Sequence, residues 1–148
     1  GPACDQQPVA CAQGERTLFF CEAGRKQIAV CGVTDAKGQP QAQYRYGADT
    51  AELVLNGGRF ANVPYSGGGE AQIEFVNDAT RYIVYSRTIR TNFKAGEPNN
   101  PEFTDGVMAV RGGKVLSDRQ CTGEPKSVDV MAGDDYGGVT SELFHYAD

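Results

Sequence analysis

The stretch Glu70-Ala-Gln-Ile-Glu-Phe-Val-Asn-Asp-Ala-Thr-Arg-Tyr-Ile-Val-Tyr-Ser-Arg87 decides the fold. Two alternating runs flank Asn77-Asp78-Ala79. A turn at Asp78-Ala79 sets Phe75 opposite Tyr82, Ile73 opposite Val84 and Ala71 opposite Ser86 on an apolar face. The other face sets Glu74 opposite Ile83, Gln72 opposite Tyr85 and Glu70 opposite Arg87. One register therefore yields a core face and an opposite-charge pair together, as an antiparallel hairpin requires.

Working outward, residues 106–111 and 114–118 flank Gly112-Gly113, whose permitted positive φ angles suit a two-residue hairpin turn. Upstream, residues 16–22 and 27–33 are apolar runs around Ala23-Gly-Arg-Lys26, a second hairpin. Residues 41–46, with Tyr44 and Tyr46 on one face, and residues 51–55 add two more strands. Residues 139–146 fit either a last strand or a short helix capped by Ser141. No long helix and no internal repeat is seen. The fold expected is all-β: a single antiparallel β-sandwich or barrel of about eight short strands, stapled by disulfides. Residues 1–15 read as a polar leader or tether and residues 16–148 as the β domain. Two connections, 56–69 and 91–105, are longer than hairpin turns need, and long loops in small domains are often functional.

The chain has 148 residues, 40% of them hydrophobic, with a net charge of −5. That balance argues against nucleic acid, which needs a basic face. No apolar run reaches the ~18 residues of a spanning helix. The single histidine, His145, has no serine in a G-x-S-x-G frame to serve, and no Gly-Lys-Ser/Thr follows Gly67-Gly-Gly69. The reading is non-enzymatic, with no catalytic residue and no cofactor. Asp134-Asp135 lacks the calcium-loop pattern and reads as a solvated acidic turn.

Cys4, Cys11, Cys21, Cys31 and Cys121 contain no C-x-x-C pair, so no metal site is expected and disulfides in an oxidising compartment are. Ala3-Cys4 looks like the mature end of a bacterial lipoprotein signal, with Cys4 acylated, which would be the chain's one attachment to a membrane. In the first hairpin Cys21 falls opposite Ile28 and Cys31 opposite Leu18, on opposite faces and too far apart to bridge. Two pairings remain: Cys11–Cys31 with Cys21–Cys121, which the hairpin end favours, or Cys11–Cys21 with Cys31–Cys121.

The combination Phe20-Cys21, Cys31, Tyr44-Arg-Tyr-Gly47, Glu52-Leu53, Phe75-Val-Asn77, Tyr82-Ile-Val-Tyr85, Gly106-Val-Met-Ala-Val110 and Cys121 resembles small β-proteins of the bacterial envelope. Among these, the periplasmic and lipoprotein lysozyme inhibitors insert a loop into a lysozyme cleft. Ser66-Gly67 is similar to the Ser-Gly loop of one inhibitor class. That class continues with a tyrosine, whereas here Gly68 follows and Tyr65 precedes. The resemblance implies a β-barrel in the periplasm or outer envelope that binds a protein partner, a basic lysozyme-like wall hydrolase; an immunity protein against a secreted toxin makes the same physical demands and is a further reading. The alternative is a carrier of a small molecule or lipid in a barrel mouth.

Arg81, Arg87, Arg90 and Lys94 lie in a stretch without an acid. Such a face usually only solubilises a sheet, but arginine with tyrosine is also enriched at binding hot spots. Glu70 and Arg87 sit at the open end of their hairpin, from which both long connections leave. Tyr65, Ser66, Gly67, Arg87, Arg90 and Phe93 are therefore the expected partner-binding residues.

Overall fold

The pairing derived from residues 70–87 is the observed one. The computed structural model describes residues 7–65, 68–90 and 101–146. Phe75 pairs with Tyr82, Ile73 with Val84 and Glu70 with Arg87 across a turn at Asp78-Ala79. Asp78 takes φ 55°, a left-handed conformation that aspartate tolerates better than most residues.

Strands β1 (Arg16–Ala23), β2 (Lys26–Thr34), β3 (Pro40–Gly47) and β4 (Ala51–Asn56) form a four-stranded antiparallel meander. Strands β5 (Arg59–Tyr65), β6 (Gly68–Asn77), β7 (Thr80–Arg90), β8 (Pro101–Arg111) and β9 (Lys114–Gln120) form the second sheet, and β10 (Val139–Thr140) pairs parallel to β5. The sheets pack face to face as a sandwich, not a closed barrel. Leu18, Ile28, Val30, Tyr44, Phe60, Ile73, Phe75 and Val84 fill the space between them. The Tyr44 ring lies 5.5 Å from Phe75 and 5.8 Å from Tyr82, which locks the two sheets together.

Ten strands are present among the described residues. The expected loop 56–69 contains β5, and the expected loop 91–105 contains the start of β8. Pro64 and Asn62 hid β5, because proline is rare inside sheets. Here β10 covers only Phe60 and Ala61, so Pro64 occupies an uncovered stretch where a missing N–H does no harm. The tail contains a 3-10 helix, Val130–Tyr136, started by Asp129, whose side chain accepts from the Ala132 amide. Beyond it the only regular element among the described residues is the two-residue β10, not a helix capped by Ser141.

Cys11 is joined to Cys31, and Cys21 to Cys121, with Cα separations of 5.5 and 5.8 Å. Cys21 belongs to the inter-sheet core and Cys31 to the outer face of the first sheet, which is why they do not join. The hairpin register differs in one detail. A bulge at Leu18 puts Cys31 opposite Thr17 rather than Leu18.

The boundary expected at residue 15 is not an edge of the packed unit. Val9 is fully buried on the outer face of the first sheet with Ala29 and Cys31. The buried Arg45 holds the leader there, donating to both Glu15 carboxylate oxygens at 3.0 and 2.9 Å. That guanidinium contact holds the Glu15 carboxyl below its ordinary value. The C-terminal residues do the same to the second sheet, where Phe144 packs on Ile83, Tyr85, Met108 and Val110. Residues 9–15 and 144–145 thus lie over the two outer faces, one segment on each.

Candidate functional site

Three strand junctions define one end of the six-stranded sheet. Tyr65 pairs with Gly68, Gly68 with Ile89, and Arg90 with Pro101. The connections 66–67 and 91–100 both leave from this end. Ile89 and Phe103 are exposed there, at 43% and 66%. Phe103 pairs with Thr88, the neighbour of Ile89, so the two apolar side chains stand on opposite faces of the sheet end. Sequence reading missed both. Phe103 fell within an apparent loop, and Ile89 lay beyond the alternating run.

Of the expected partner-binding residues, Arg87 is the one whose side chain is described. Its Nε donates to Glu70 Oε1 at 2.9 Å and its guanidinium lies 4.9 Å from the Tyr85 ring. It is 16% exposed, so this cation holds a buried acid of its own chain. Tyr65 and Arg90 occupy the strand ends. Ser66, Gly67, Phe93 and Cys4 lie outside the described residues.

The face carrying Arg87 is buried rather than solvated. Glu74 accepts from Arg59 at 2.5 Å and from Arg81 at 2.7 Å. Burial opposes ionisation of Glu74, but the two guanidinium hydrogen bonds outweigh it and its carboxyl lies below the usual carboxylate range. Gln72 is fully buried. Its amide donates to Glu70 at 2.7 Å and to the His145 carbonyl at 2.7 Å, and its oxygen accepts from the Phe144 amide at 2.9 Å. Tyr85 donates to Asp118 at 2.6 Å; burial, then that acid, pushes its hydroxyl pKa well up.

The opposite face of the same sheet end holds a pocket of about 400 Å³. Asp105, on β8, lines it and is 5% exposed. The hydroxyls of Ser86 and Ser127 donate to Asp105 Oδ2 at 2.6 and 2.8 Å, and Ser86 also accepts from the Val128 amide. A second depression, about 290 Å³, opens between β4 and β9. Tyr44, Tyr46, Leu53, Tyr82 and Arg119 line it, and the Arg119 guanidinium lies 5.4 Å from the Tyr46 ring. Burial, then the neighbouring tyrosines, pushes the Tyr44 hydroxyl far up, so it stays protonated. The Tyr46 hydroxyl is buried without a hydrogen-bond partner. A third, open groove of about 650 Å³ runs beside Arg59 and Phe144.

Among the described residues the grouping with metal-ligand spacing is Cys11, Glu15 and Cys31. Both sulfurs are in the disulfide and Arg45 occupies Glu15, so those donors are already engaged. Asp135 of the acidic turn pairs with Arg16 at 3.1 Å. No family model, no curated protein and no solved structure matches the chain.

Proposed function

We propose that this chain is a non-catalytic protein of the bacterial envelope that binds another protein through the end of its six-stranded sheet. The observation that carries the reading is the exposure of Ile89 and Phe103 beside the two connections that leave that end. Apolar side chains held on a rigid sheet end are low-entropy anchors for a partner. Two disulfides suit an oxidising compartment, and acylation of Cys4 would tether the chain to a membrane. A net charge of −5 favours encounter with a basic partner, and a lysozyme-like wall hydrolase or a basic secreted toxin has that character. The Ser66-Gly67 connection is the segment that would enter a hydrolase cleft. The test is a titration against a panel of purified basic lysozymes of different structural classes, with lytic activity followed in parallel. Saturable binding with loss of lysis is expected for at least one class. Absence of binding across the panel would overturn the hydrolase partner.

A second reading, a small-molecule carrier, draws on the tyrosine cleft. The cleft is close to the ~300 Å³ lower limit for ligand pockets, and its orphaned Tyr46 hydroxyl could be satisfied by a polar ligand atom. Native mass spectrometry of protein purified from its host under mild conditions would detect such a ligand. A spectrum of the bare chain alone would count against it.

A further inference from the structure

We infer that the pocket around Asp105 is a receptor for a primary ammonium or guanidinium group, a lysine or arginine side chain of the partner. The inference deepens the protein-binding reading and rests on it for the identity of the cation's bearer. Buried carboxylates are normally paired with a cation or a metal. Asp105 is nearly buried, yet none of the ion pairs among the described residues involves it. Its hydrogen bonds come from two neutral hydroxyls, both to Oδ2. Tyr46 Oη is the one buried side-chain oxygen or nitrogen among the described residues that lacks a partner. Asp105 Oδ1, to which no side-chain donor is bonded, therefore faces the open space of the pocket. Arg87 and Glu70 also line the pocket, but Arg87 pairs with Glu70 and lies over the Tyr85 ring, and no ion pair among the described residues joins it to Asp105.

Three further lining residues suit the same guest. Asn62 and Thr88 offer further oxygens to an N–H group, and the exposed Phe103 ring stands beside them to cover an alkyl stem or the cation's face. Ser86 and Ser127 fix the carboxylate before a ligand arrives, which lowers the entropy lost on binding. The site also lies on the sheet end that carries the exposed apolar anchors. A partner that covers Phe103 would bring its basic side chains over Asp105.

The probe is n-butylammonium, followed by amide NMR on the full chain, with calcium chloride and n-butanol titrated separately. Saturable shifts confined to residues around Ser86, Thr88, Asp105 and Ser127 are expected with butylammonium, at a roughly millimolar Kd, and not with butanol. Asp105→Asn keeps the shape and should weaken the ammonium by roughly tenfold or more. Thr88→Lys is the second variant. It places a cation at the pocket wall and should abolish the shifts even if Asp105→Asn does not fold. Shifts with calcium but not with butylammonium, or equal affinity in folded Asp105→Asn, would overturn the inference. Failure of every lysozyme to bind leaves the butylammonium result standing, so loss of the partner and loss of the site are distinguishable.

Discussion

Gln72 shows how much a single polar side chain can organise. Fully buried, it bonds Glu70 and three backbone groups of Phe144 and His145, so it fastens the C-terminal residues to the sheet. Gln72→Leu should keep the volume yet leave these groups without partners, costing about 2 kcal/mol. Hydrogen exchange at the amides of residues 144 and 145 should accelerate; unchanged protection there would refute the role. Glu74 adds a pH dependence. Its folded pKa lies below the ordinary 4.5, so its contribution is complete above about pH 4.5 and is lost as pH falls through the lower, folded value. Acid unfolding of Glu74→Gln, followed by circular dichroism, should show a smaller loss of stability below that pH than the parent. An equal loss would place the acid sensitivity elsewhere.

Strand pairing was legible where both faces carried information. Residues 70–87 fixed their register because one slip would have put Phe75 and Ile73 on the wrong face. What alternation could not reveal was that the second face is also buried. Its acids and arginines read as a solvated surface, but they are covered by residues far away in sequence, and a local pattern carries no trace of that cover. The same reason hid the docking of residues 7–15, where Val9 and Glu15 look like ordinary leader residues until Arg45 is beside them. Strand β5 was obscured by its own composition, and the pairing of Pro101 to Arg90 by the run of polar and proline residues before it. The Gly112-Gly113 turn was legible, and both residues take positive φ, 59° and 78°. Gly113→Ala should therefore destabilise the β8–β9 hairpin by about 1 kcal/mol, read from chemical denaturation. No change would mean that the turn relaxes into another type.

At the scale of the molecule, the two disulfides do unequal work. Cys21–Cys121 spans 100 positions and joins the first sheet to the segment after β9, whereas Cys11–Cys31 spans 20 and pins the leader. Loop-closure entropy gives about 4.7 kcal/mol for a 100-residue loop and about 3 kcal/mol for one near 15 residues. Paired alanine replacement of Cys21 and Cys121 should lower the melting temperature more than replacement of Cys11 and Cys31; the reverse order would show that docking of the leader outweighs chain entropy. The sheet end from which both connections leave was legible from sequence as a place. Its exposed members were not, because exposure depends on where the opposite sheet stops. The most direct measurement of the account is the affinity of Ile89→Ala/Phe103→Ala, with folding verified, for the lysozyme class that binds the parent chain. A loss of about 2 kcal/mol or more is the expected result for two central anchors. Unchanged affinity would contradict the assignment of this sheet end as the surface through which the protein acts.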